Sequence, residues 1–91
     1  MLTRIGANAI QSSDGFSVRI SSNELLYSEH GKAIRIEIEP GDGLAVYAST
    51  IKMWENEDES EIEPVSSDDQ TRIVENISNA LIALGIRFAI Y

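Results

Sequence analysis

The sequence contains no cysteine, one histidine, two prolines and only seven Lys and Arg residues in a length of 91. The missing cysteine excludes disulfides, thiolate zinc sites and cysteine nucleophiles. A lone histidine, His30, argues against a multi-histidine metal site or a Ser/His/Asp triad. Seven bases against fifteen acids give a formal net charge of −8. That balance argues against nucleic acid as a partner and for a neutral or basic one, here a basic protein partner. Long apolar runs are missing too. The most apolar stretch, Ala80 to Ile90, is interrupted by Gly85 and Arg87 and falls short of the ~20 residues a membrane helix requires. The opening residues Met1 to Ala9 carry one base and no apolar run of signal-peptide length. The expectation is a cytoplasmic protein with no membrane partner.

What is present suits one folded domain over residues 1–91. Apolar residues make up 43% of the chain, enough to fill a single modest core. From about residue 4 to residue 54 they alternate with polar ones, the rhythm of half-buried strands. Phe16, Val18 and Ile20 share one face, as do Ile34, Ile36 and Ile38, and then Leu44, Val46 and Ala48. Asp14-Gly15, His30-Gly31 and Pro40-Gly41-Asp42-Gly43 separate these runs and read as turns.

After Trp54 the composition changes. Glu55-Asn56-Glu57-Asp58-Glu59-Ser60-Glu61 is wholly polar, and self-repulsion makes it an acidic loop over 55–63. Pro64, flanked by Ile62 and Val65, allows at most a short extended piece. The period then becomes helical. Ile73, Val74, Ile77, Ala80, Leu81 and Leu84 recur at spacings of three and four, predicting a helix over about 67–84. Ser66 or Ser67 serves as N-cap, Ser67 with Gln70 matches a capping box, and Gly85 ends the helix. Ile86, Phe88 and Ile90 then alternate as a final strand over 86–90. The expected class is α+β: an antiparallel meander of five or six strands, one long helix packed on one face, then a last strand.

Chemistry is sparse. His30 is the one imidazole available for acid–base chemistry and has Glu29 and Glu24 as potential partners, but its place in a hairpin loop suits an exposed turn residue. Glu37 and Glu39, two apart on one strand, share a face about 7 Å apart. They fit a solvated face with Lys52, Arg35 or Arg19 as counter-charges better than a hydrolase pair or weak cation site. The acidic loop lacks the glycine and the alternating oxygens of a calcium loop. No cofactor, metal or catalytic residue is expected. Trp54 reads either as a sheet-edge residue covering the start of the helix or as an aromatic anchor for a partner. In the second reading Tyr47 and Tyr27 extend the surface.

The order of these landmarks resembles the immunity protein 74 family. It includes the hairpin Tyr27-Ser28-Glu29-His30-Gly31-Lys32, the strand Ile34-Arg35-Ile36-Glu37-Ile38-Glu39 and the strand ending at Trp54. Pro64, Ser67 and a helix carrying Ile73 and Asn76-Ile77 before Gly85 complete it, and the likeness covers about residues 20–91. The resemblance implies a small bacterial α+β protein that binds and blocks a cognate toxin without catalysis, and it transfers no site residues. The partner-binding candidates from the residues themselves are Trp54, Glu55, Glu57, Asp58, Glu59, Glu61 and Tyr47. Their carboxylates would fill phosphate places on a basic toxin, a nuclease for example, with Trp54 at the centre. The competing expectations are a structural module that forms a homodimer through a sheet edge, and a small carboxylate-based hydrolase.

Overall fold

The computed structural model describes residues 1–56 and 62–91. The first five strands are successive antiparallel neighbours. These are β1 (Leu2–Gly6), β2 (Ala9–Ser12), β3 (Phe16–Ile20), β4 (Glu24–Glu29) and β5 (Lys32–Pro40). Alternating residues build β3, β4 and β5. The β4–β5 hairpin pairs Glu29 with Lys32. Its two loop residues, His30 and Gly31, have φ of 48° and 79°. Two left-handed residues in succession match the right-handed twist of the flanking strands, and glycine adopts that geometry without a Cβ clash.

β5 is the longest strand, nine residues, and the sheet divides along it. Its first residues, Lys32 and Ala33, pair with β7 (Met53–Asn56), which pairs in turn with β8 (Ile62–Pro64). Its last residues, Ile38 to Pro40, pair with β6 (Leu44–Val46) across the Gly41-Asp42-Gly43 turn. A 3₁₀ turn at Ala48–Thr50 carries the chain from one branch to the other. The final strand, β9 (Phe88–Ile90), lies beside β6 and runs parallel to it. The sheet among the described residues thus has nine strands, more than the alternation alone delimits.

Helix α1 (Ser67–Ala83) covers one face of this sheet. Ile73, Ile77, Ala80 and Leu81 are buried, and they meet Val18, Leu25, Ile34 and Ile36 in one core. Burying each large side chain is worth about 1.5–3 kcal/mol, so docking of the helix is a principal source of stability. Ser66, not Ser67, is the N-cap: its hydroxyl accepts from the Asp69 N–H at 3.1 Å. Gln70 therefore closes no capping box. Its amide donates to the Ala48 and Ile51 carbonyls at 3.4 and 3.3 Å, tying the helix to the 3₁₀ turn. Gly85, with φ of 75°, ends the helix as expected. The Gly85 N–H donates to Ile82 and the Ile86 N–H to Leu81, the paired bonds of a Schellman stop. Among the described residues no helix is long and apolar enough to cross a membrane.

Candidate functional site

The acidic end of the molecule is built where β7 and β8 join the first residues of β5. Alternation along β7 sends Trp54 inward and Met53 and Glu55 outward. Trp54 is only 2% exposed, with its ring 6.4 Å from that of Tyr27. The expected surface anchor is therefore a core residue. A strand with a neighbour on each side and a helix over one face has no surface on which to present an inward side chain. Lys32 lies above it, with Nζ 5.7 Å from the indole centroid and 2.5 Å from Glu63 Oε2. Glu55 is exposed, and its carboxylate stands 3.8 Å from Arg35 Nε. Glu57, Asp58, Glu59 and Glu61 lie outside the described residues.

Tyr47 does not join this group. It follows β6, at the opposite end of β5 from Glu55, and its hydroxyl donates to Glu39 Oε2 at 2.7 Å. That bond to a carboxylate pushes the phenol pKa up, because ionisation would set two negative oxygens side by side. The Tyr47 ring stands 5.9 Å from that of Tyr91, which is exposed. Nor does Tyr27 extend any surface: it is fully buried, in phase with Leu25 on the inner face of β4.

Glu37 and Glu39 share the exposed face of β5 as expected, without the expected counter-charges. Among the described residues neither forms an ion pair with Arg19, Arg35 or Lys52, and the register sets Glu37 opposite Glu24. Like charges placed directly across a strand pair oppose folding. Glu24 and Glu37 therefore repel each other across β4 and β5.

A polar cluster that the sequence did not suggest joins β4 to α1. Tyr27 Oη donates to Glu29 Oε1 at 2.7 Å and accepts from Asn76 Nδ2 at 2.9 Å. Arg72 donates to both Glu29 oxygens, Nη2 at 2.6 Å and Nε at 3.2 Å, and through Nη1 to Asp69 at 2.7 Å. The Arg72 contact holds the Asp69 carboxyl below its ordinary pKa, and both carboxylates raise that of the guanidinium. Arg72 and Asn76 stand four apart on one helix face, a spacing visible in the sequence. Their partners were not visible, because β4 lies more than forty residues away.

With Glu29 held by Arg72 and Tyr27, it does not orient His30. The histidine is exposed in its turn and packs its ring against Gly15. The φ of 99° at Gly15 favours glycine there, and a Cβ would also lie 2.9 Å from the His30 ring and push it aside. Compared with known proteins, the chain matches no family model, no curated protein and no solved structure.

Proposed function

We propose that this chain is a non-enzymatic protein-binding inhibitor of immunity type, which neutralises a basic toxin through the acidic segment at the β7–β8 end. One observation carries the reading. Eight of the fifteen acids lie between Glu55 and Asp69 with no Lys or Arg among them. Among the described residues three cations pair with that segment: Arg35 at Glu55 and Lys32 at Glu63, both from β5, and Arg72 at Asp69, one turn on in α1. The rest of the chain balances, seven acids against seven bases. A local excess of one sign steers an oppositely charged partner and speeds its encounter.

The burial of Trp54 alters the mechanism. Indole packing supports the strand that carries Glu55, and contact with the partner falls to Glu55, Glu57, Asp58, Glu59 and Glu61. The test is titration of the purified chain against a panel of basic nuclease toxins across a salt series. Kd should rise steeply with ionic strength and, at low salt, by at least about tenfold in the variant E57K/D58K/E59K. Binding insensitive to both would overturn the electrostatic mechanism, and a panel without any binder would overturn the choice of partner.

A further inference from the structure

The acidic segment leaves one sheet edge unexplained. β1 ends the strand order opposite to β7 and β8 and, among the described residues, pairs on one side only, with β2. The other terminal strands are protected in recognisable ways. β8 is three residues long and contains Glu63 and Pro64, and β9 is also three residues long. β1 has five residues, no proline and no acid, and Thr3 to Gly6 are all exposed. Its one charge is turned away from the edge: Arg4 Nε and Nη2 donate to the carbonyls of Gly6 and Ala7, at 3.1 and 2.8 Å. Met1 and Ile5 are 90% and 50% exposed.

We propose that β1 pairs antiparallel with β1 of a second copy of this chain, about a two-fold axis at Thr3. The register follows from the backbone. The Ser13 N–H donates to the Met1 carbonyl, and Met1 and Thr3 face β2 in the same phase. Strand alternation therefore turns the N–H and C=O of Leu2 and Arg4 toward the free edge. A two-fold at Thr3 sets Leu2 of one copy opposite Arg4 of the other, so the outward groups form about four main-chain hydrogen bonds.

The same register brings Thr3 against Thr3 on the outer sheet face, a favourable cross-strand pair. It also sets Ile5 of one copy opposite Met1 of the other, covering both exposed apolar residues. Ile5 lies on that face, beside Gln11 and Ser17 in a shallow groove of about 450 Å³. An isologous contact of this kind closes as a dimer and does not propagate.

Electrostatics select this edge for a second copy. β1 and β2 contain no acid, and the first in the sequence is Asp14, next to the Ser13 that bonds Met1, whereas the chain as a whole carries −8. Two copies repel least where their acids are farthest from the contact. The bulge between Arg4 and Gly6 limits the paired span to the start of the strand and keeps the dimer weak.

Sedimentation equilibrium of the full chain across a concentration series tests this. The mass should rise from monomer toward dimer, and a monomer persisting to about 1 mM overturns the proposal. Thr3→Lys and Thr3→Glu each set like charges at the axis and should remain monomeric. Mixed together they should recover the dimer, a rescue that requires Thr3 to face Thr3. Ile82→Lys, on the exposed side of α1, should dimerise as the parent does. Dimerisation that survives Thr3→Lys, is lost with Ile82→Lys, or is not recovered in the mixture places the contact elsewhere and overturns the proposal.

Discussion

The Tyr27 hydroxyl sits on a fully buried residue, and its cost is met because it both donates and accepts. Burial is the main force pushing its pKa up, opposed by the Asn76 donation and reinforced by Glu29. The pH dependence follows. The unfolded chain ionises this phenol near 10.0, while the folded chain keeps it neutral to higher pH. Its contribution is fully present below pH 10.0 and is lost as the pH rises from there toward the folded value. Urea unfolding across that range should show stability falling more steeply in the parent than in Tyr27→Phe. Parallel profiles would mean that the phenol ionises alike in both states. Single residues also show where local reading fails. Trp54 and Tyr27 look like surface aromatics beside polar neighbours, and both lie in one cluster with Phe16, whose ring is 5.8 Å from that of Tyr27. Neighbours in a strand lie on the opposite face, so outward neighbours place the aromatic between them on the inner face.

At the scale of elements, helix α1 was the most legible feature. Six apolar residues at spacings of three and four predict it over about 67–84, against Ser67–Ala83 in the structure. Leu81 and Ile82 are adjacent, the first fully buried and the second 67% exposed. Leu81→Asp should therefore unfold the domain, since a buried unpaired carboxylate costs several kcal/mol. Ile82→Asp should leave the melting temperature nearly unchanged. Equal effects, read by circular dichroism, would remove the helix from this orientation. The strands that were hard to read share a physical cause. β1 is almost wholly exposed and β8 has three residues, one of them proline. Neither is long or half-buried enough to show a period of two. The parallel pairing of β9 with β6 was also hidden, because strand direction leaves no mark on the alternation.

For the whole molecule, charge and topology pull apart. A net charge of −8 repels itself, and Glu24 opposite Glu37 adds a local instance within the sheet. Four ion pairs among the described residues oppose this, three of them tying strands or helix to a distant element. They are partly exposed and individually weak, so repulsion dominates. Raising NaCl from low concentration through about 0.1 M, where the screening length is about 10 Å, should raise the melting temperature. A fall would show that the ion pairs, led by Arg72–Glu29, outweigh the excess of acid.

Helix, turns, alternation and the placement of the acidic excess are written into short stretches of chain. They depend on backbone dihedrals and on neighbours within a few residues, so composition and spacing determine them. The fold alone decides which aromatics reach solvent, which carboxylates find a cation and which sheet edge is left unpaired. Those outcomes depend on β5 dividing the sheet between β6 and β7, which places Tyr47 with Glu39 and Trp54 under Lys32. They are contacts between residues far apart in sequence, and a local pattern contains no term for them.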